Sequence, residues 1–309
     1  MKRKGILLLI FFLLLYLLFF PAEALKSSCL GLDLWFHTIL PSLLPFLILS
    51  QILVNTGMIR GFMRPLEPFF CHLLGLSGEG AYVWLLGMFC GFPMGARLTA
   101  ELYQNGQIDR QEAEYLLTFS NHASPGFLSS YVILKGFGSK NMAVTVFLIL
   151  YLANFLTSIC FRFVYRRFRL SRKQLSKKEM PKQTSIGNLL DTSIMNGFEI
   201  ITRLGGYIIL FSIISGILMQ LPDPFRLAAP YLCGMTEITT GISLISATGL
   251  SYSRKATAIL MCTAFGGLST VAQTNAMIRA SHLPISVYLK GKVLCTILTG
   301  LLCLLFFVE

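Results

Sequence analysis

The reading of the chain turns on Gly87 to Gly126, GMFCGFPMGARLTAELYQNGQIDRQEAEYLLTFSNHASPG. The stretch opens inside the apolar run Ala81–Cys90 and then sets Gly91, Pro93, Gly95 and Arg97 where a lipid-facing helix would carry leucine. A polar loop follows (Gln104–Arg110), then a second apolar segment that is itself interrupted by Ser120, Asn121, Ser124, Pro125 and Gly126. In hydrocarbon each unpaired backbone group is costly, so irregular backbone persists only where protein or a wet cavity surrounds it. Two interrupted segments in succession therefore predict a re-entrant helical hairpin followed by a broken spanning helix, both lining a site near the membrane midplane.

Working outward, the 309 residues are 54% hydrophobic and only 13% charged, and apolar stretches of spanning length recur from end to end. This is the composition of a polytopic all-α membrane protein. The net charge is +12, but much of it is local: Arg162 to Lys182 holds nine Lys/Arg against one acid, Glu179. Because that run joins two hydrophobic blocks, it reads as a cytoplasmic loop near anionic lipid, in preference to a nucleic-acid site. The eight cysteines include no CxxC and lie mostly in apolar runs, and the four histidines have no ligand spacing, so no metal site or cofactor is expected. GxSxG, P-loop and dinucleotide motifs are absent, and no nucleophile–base pair supports an enzyme.

At the start, Lys2-Arg3-Lys4 precedes fifteen apolar residues, Ile6–Phe20, and then Pro21-Ala22-Glu23-Ala24. Residues 1–24 read as a short first helix, with a cleaved signal peptide as the alternative; either leaves residue 25 outside. Residues 25–80 hold a span, Leu34–Val54 with Pro41 and Pro45, and an interfacial segment, Met58–Leu76, bent at Pro65 and Pro68. The first unit, 81–162, comprises the hairpin Ala81–Tyr103, a helix begun at the Asp109…Glu112 capping box and running to about Gly136, and the span Met142–Phe161. The basic loop occupies 163–185. Residues 186–226 hold an interfacial stripe (Ile186, Leu189, Leu190, Ile194, Phe198) and a span, Ile200–Leu221, with Arg203 near its start. In 227–309 comes a second unit: an apolar hairpin interrupted by Gly234, Thr236, Glu237, Thr239, Thr240 and Gly241; a helix capped by Ser253, broken at Gly266-Gly267 and carrying Ser269, Thr270, Gln273, Thr274 and Asn275; and the span Ile285–Phe307, with Lys290 and Lys292 near its cytoplasmic start.

The positive-inside rule fixes the first hairpin as re-entrant. With the basic loop inside, Arg110 is inside too, and so are Arg60 and Arg64, so Ala81–Tyr103 enters and leaves on one side. Impermeant cysteine labelling is expected to place residues 165–182 in the cytoplasm and residue 309 outside; labelling of 165–182 from outside would overturn the assignment. The order hairpin, broken helix, span occurs twice, and one offset sets Gly95 on Gly241, Ser120-Asn121 on Gly266-Gly267 and Ser124 on Thr270. The second hairpin then opens from the other face, which is the inverted repeat of many secondary transporters.

Leu40-Pro-Ser-Leu-Leu-Pro-Phe46, the Gly87-Met-x-x-Gly-x-Pro-x-Gly-Ala-Arg-Leu-Thr-Ala100 run, Glu112-Ala-Glu and Phe119-Ser-Asn resemble the nucleoside-recognition (Gate) domain membrane proteins, in particular their sporulation branch. The resemblance covers about residues 34–307. It implies the fold of the concentrative nucleoside transporters, with paired hairpins and unwound helices. It further implies a cell-membrane or forespore-surrounding location, a role in endospore formation, and a small anionic metabolite such as dipicolinate as cargo.

The candidate solute-binding residues are Arg97, Ser120, Asn121, Ser124, Glu237, Thr239, Thr240, Ser269, Thr270, Gln273 and Asn275; Gly91, Pro93, Gly95, Pro125, Gly126, Gly241, Gly266 and Gly267 shape the hairpins and breaks. A carboxylate at membrane depth either serves solute or ion coupling or is paired, here with Arg97 or Arg203. Arg97 can hold an anion bidentately or snorkel to the surface. The hydroxyls and amides can bind ligand or satisfy freed backbone, and half-helix N-termini at both breaks favour an anion. The expected partners are a small solute, membrane lipid and a coupling ion, with no nucleic acid; the pattern carries no signal for oligomeric state. A non-transporting scaffold or gating component, and a nucleoside or other solute transporter outside sporulation, are the rival readings.

Overall fold

The computed structural model describes residues 2–56, 67–165, 186–222 and 225–307. Among them there is no strand. Helix α1 (Lys2–Phe19) turns sharply into α2 (Pro21–Asp33), which continues through a wide-turned stretch, Leu34–Ile39, into α3 (Leu40–Asn55). The expected span at Leu34–Val54 therefore begins earlier than hydropathy suggests: Pro21 starts the helix, because a proline at the first helical position gives up no intrahelical hydrogen bond. Pro45 lies inside α3 without ending it. Most of the expected interfacial segment, including Arg60 and Arg64, lies outside the described residues, and its remainder is α4 (Glu67–Leu74), with Leu74 buried.

The first hairpin is α5 (Gly78–Cys90) and α6 (Met94–Gln104), joined through Gly91-Phe92-Pro93. Ser77 caps α5, its Oγ accepting from Gly80 N at 3.0 Å. Helix α7 (Arg110–Leu117) begins at the expected cap: Asp109 Oδ1 accepts from Glu112 N at 2.7 Å. The Glu112 carboxylate accepts from Ser77 N, also at 2.7 Å, which ties the start of α7 to the start of the hairpin. Residues 118–124 leave the helix, and α8 (Pro125–Phe127) resumes it as the wide-turned stretch Leu128–Phe137. Helix α9 (Ala143–Val164) is the long apolar helix that follows.

The interfacial stripe and the span expected over 186–221 are one helix, α10 (Ile186–Met219), 34 residues long. No proline interrupts it, and no glycine in it adopts a positive φ, so polar residues such as Asn188 and Asp191 alone do not stop it. The second hairpin is α11 (Ala229–Thr236) and α12 (Ile238–Ser246), with Glu237 as its single linking residue. Helix α13 (Tyr252–Phe265) starts after Ser251, not at a Ser253 cap; Ser253 lies inside, its Oγ donating to Phe307 O at 2.9 Å. Beyond Gly266 run α14 (Gly267–Ile278) and α15 (Ile285–Phe306). Both Gly266 and Gly267 have positive φ, +85° and +78°, a region that L side chains rarely enter.

Hairpin, interrupted helix and long helix thus follow one another from Gly78 to Val164 and again from Ala229 to Phe306. Among the described residues, four stretches are long and apolar enough to cross a membrane: Lys140–Val164, Gly187–Met219, Tyr252–Ser281 and Ile285–Phe306. Two bent helix pairs raise the number to six. The chain is an all-α, multi-pass membrane protein. Its exposed surface agrees: Leu301, Leu304 and Leu305 on α15 and Val144 and Leu148 on α9 face outward, as apolar residues do where lipid is the solvent. The main core joins both halves, with Leu86, Leu128 and Ile149 packed with Ile201, Ile238 and Leu260.

Candidate functional site

Each interruption is packed against a hairpin. In the first half, a Cβ on either Gly87 or Gly95 would overlap the carbonyl oxygen of Ser120, so the non-helical segment lies in the notch between the two hairpin helices. At the tip, a Cβ on Gly91 would stand 2.7 Å from that of Ser124. Ser124 Oγ then caps the resumed helix by accepting from Phe127 N at 3.2 Å, with Pro125 in its first turn. Gly126 O accepts from Ser130 Oγ at 2.6 Å. In the second half, a Cβ on Gly241 would overlap Gly234 Cα, so α11 and α12 touch backbone to backbone. The tip rests on the second break, since a Cβ on Gly267 would meet Thr236 O at 3.1 Å and Glu237 Cα at 3.3 Å.

The two halves meet through these breaks. Gly266 faces the Phe92 ring of the first tip, 3.2 Å from an added Cβ. Asn121 Nδ2 donates to Thr274 Oγ1 at 2.8 Å, and Tyr131 Oη donates to Thr239 O at 2.6 Å. Between the tips lies a cavity of about 50 Å³. Its polar lining is Ser124, Glu237, Thr239, Ser269, Thr270 and Gln273; Cys90, Phe92, Phe127, Ile200 and Ile238 supply apolar wall. Six of the eleven candidate residues, from both halves of the sequence, thus converge on one space. That volume holds a few waters, so a ring-sized solute enters only if the tips part.

Next to it, sharing Ile200 and Gln273, is a cavity of about 400 Å³ lined by Pro93, Arg97, Glu199, Arg203, Tyr207 and neighbours. Arg97 is half-buried there. A larger cavity, about 880 Å³, runs between α11, α13 and α15 over mostly apolar side chains and contains none of the candidate residues.

The remaining candidates separate from these cavities. Ser120 and Asn121 are buried in the first break, where Ser120 Oγ and Asn121 Oδ1 have no hydrogen-bond partner among the described residues. Thr240 is half-buried beside α10, its Oγ1 3.3 Å from Ser212 Oγ. Asn275 is exposed, because it falls on the face of α14 opposite the pair Gln273–Thr274. The alternative reading, a pairing of Glu237 with Arg97 or Arg203, is not among the ion pairs of the described residues. Glu237 caps its own helix: Oε1 accepts from Thr239 N at 3.0 Å, and Oε2 accepts from Thr240 N at 2.7 Å and Thr239 Oγ1 at 2.5 Å. Arg203 pairs with Glu199 at 2.6 Å, one turn away on the same helix. A carboxylate four bonds from its own backbone meets the helix N-terminus at once, whereas a cross-hairpin pair requires two long side chains to be ordered.

Thr270 Oγ1 donates to Gly266 O one turn back, and Gln273 Nε2 donates to Ser269 Oγ at 3.2 Å, so part of this polar set is satisfied within the first turns of α14. Four residues at the junction carry no sequence signal of the kind used above: Phe92, Tyr131, His122 and Lys292. Phe92 and Tyr131 read as ordinary apolar residues, and His122 sits in the interruption Ser120–Ser124 with no ligand spacing to mark it. Lys292 reads as a residue near the cytoplasmic start of its span, yet it is 3% exposed. Its distance from the helix start was the usable sign: seven residues beyond Ile285 place it about 10 Å along α15, too deep to reach the interface easily.

Residues 36–164 match the family described as nucleoside recognition, Gate. The chain is 30% identical over 306 residues to the sporulation integral membrane protein YlbJ of Bacillus subtilis (strain 168), covering 89% of this chain and 75% of that protein. This chain belongs to the YlbJ family. No solved structure matches it. The Gate match spans the first hairpin, the first break and α9, the half that contributes Phe92, Ser124 and Arg97 to the cavities. The similarity to YlbJ extends over the second half as well, so YlbJ-family membership takes in both breaks.

Proposed function

We propose that this protein is a non-enzymatic solute carrier of sporulating cells, with its two halves arranged as an inverted repeat, and that it moves a small anionic metabolite such as dipicolinate across the cell membrane or the membranes around the forespore. The observation that carries the reading is the cavity closed by both hairpin tips, in which residues as distant in sequence as Ser124 and Glu237 face one space. A site at the meeting of two interrupted helices, reached by parting two hairpins, is the arrangement that alternating access requires. The anionic class rests on Arg97 and Arg203 lining the adjoining cavity and on Ser269 and Thr270 in the first turn of α14, a helix N-terminus. The sporulation setting rests on the similarity to YlbJ.

The rival, a non-transporting membrane component, is favoured by one observation: Glu237 is satisfied by its own helix and needs no solute. Proteoliposome uptake separates them. Saturable uptake of labelled dipicolinate supports the carrier; none, for dipicolinate or for a panel of anionic metabolites and nucleosides, supports the rival. Within the carrier reading, Arg97→Gln and Arg203→Gln are each expected to raise KM for the anion about tenfold or more, as loss of one charge-assisted contact worth roughly 1.5–3 kcal/mol predicts. Thermal stability should hardly move, because Arg97 makes no ion pair among the described residues and the half-exposed Arg203–Glu199 pair contributes about 0–1 kcal/mol. An unchanged KM in both variants would remove the arginines from the solute path.

A further inference from the structure

Lys292 is a buried cation with no ion-pair partner among the described residues. Its surroundings are specific. Helix α13 stops at Phe265, and the break leaves its last carbonyls without the amides that a continuing helix would supply. One of them, Ala264 O, accepts from Lys292 Nζ at 3.1 Å. The same nitrogen lies 4.5 Å from the centroid of the Phe92 ring and 5.8 Å from that of Tyr288. A freed carbonyl, the negative end of a half-helix and two aromatic faces are all attractive to a cation and offer nothing to an anion. Phe92 in turn lines the cavity between the tips, and Lys292 does not. The charge is thus screened from the solute space by the ring it holds, and it links the second break to the tip of the first hairpin.

Carbonyls at the C-terminal end of a broken helix are where carriers of this general architecture hold a sodium ion. We propose that the Lys292 ammonium is a tethered resident of such a cation site, so that the protein closes its first hairpin tip on the second break without sodium. The word carrier rests on the function proposed above; the occupancy of the site by Lys292 does not.

Thermal unfolding of the purified full-length protein tests it without any transport. The wild type should have one Tm in sodium chloride and in N-methyl-D-glucamine chloride at equal ionic strength. Lys292→Ala should lose several degrees, and propylammonium or sodium should recover part of that loss in the variant while leaving the wild type unmoved; tetrabutylammonium, too large for the site, should recover none. A rise in wild-type Tm specific to sodium overturns the proposal, as does a Lys292→Ala Tm equal to that of the wild type, or a loss that no small cation reduces. If Lys292→Ala does not fold, the sodium comparison on the wild type decides, together with Lys292→Met, which keeps the stem and removes the charge. Uptake by the wild type is expected at the same rate in sodium-free buffer. A protein that shows no uptake in either buffer refutes the carrier reading and leaves the thermal result to judge Lys292.

Discussion

Glu237→Ala should be the most damaging single side-chain change at the candidate site, lowering both stability and any flux, and Arg97→Gln should not rescue it. The carboxylate accepts three hydrogen bonds from the first turn of α12 while 1% exposed, and its Cα packs on Gly267. An ordinary cap contributes about 1 kcal/mol, and a hydrogen bond to a buried charged group about 1.5–3 kcal/mol, so a loss of about 2–3 kcal/mol is expected, with α12 loosened at the tip. Glu237→Asp keeps a carboxylate that can still cap and should be the mildest change. Glu237→Gln can present its oxygen to one amide but turns its NH2 toward another donor, so it should fall between Asp and Ala. The measurement is Tm in detergent alongside uptake for the four proteins and for the double variant Glu237→Gln/Arg97→Gln. Recovery of Tm in the double variant would mean that the two charges are paired in the membrane, against the geometry found here.

The contrast between Glu237 and Gly95 shows which features the sequence carries. Interruptions of apolar runs are legible, because glycine and proline have few other uses at membrane depth; Gly91-Phe92-Pro93, Ser120–Ser124 and Gly266-Gly267 are all breaks in the structure. The Asp109 cap is legible because it is local, closing within three residues. Helix lengths are less so. The stripe Ile186 to Phe198 and the span Ile200–Leu221 read as two elements, yet α10 runs through both, since a polar residue without a proline or a left-handed glycine does not stop a helix. Partners are the least legible. Glu237 and Arg97 look like a pair only because both are charged and expected near the midplane; which donor lies nearest depends on a turn of one residue, and that donor is the backbone of Glu237's own helix. Lys292 illustrates the opposite error: an apolar helix with a lysine near its start reads as an anchored end, and only the fold reveals that the second break ends beside it.

Gly95→Ala should destabilise the packing of the first half, and Gly87→Ala should do the same, although neither glycine has an unusual backbone conformation or a polar side chain to lose. Neither appears among the positive-φ glycines, so alanine fits each helix locally and should even favour it by about 0.5–1 kcal/mol. The added methyl instead meets the Ser120 carbonyl, and the obstruction is backbone, not the end of a flexible side chain. Ser120 cannot move away without displacing Asn121, whose Nδ2 holds Thr274 of the other half, and Ser124, whose Cβ stands against Gly91. Overpacking a buried contact costs typically 1–3 kcal/mol and more when backbone must shift, so the steric loss outweighs the gain in helix propensity. Gly206→Ala is the control. It lies within α10 with nothing within 4 Å of the added Cβ, so only the propensity gain remains and Tm should stay level or rise slightly. The comparison is read from Tm and from the yield of monodisperse protein. If Gly95→Ala and Gly87→Ala behave like Gly206→Ala, the first break does not lie in the notch of the hairpin, and the convergence of the two halves on one cavity is wrong with it.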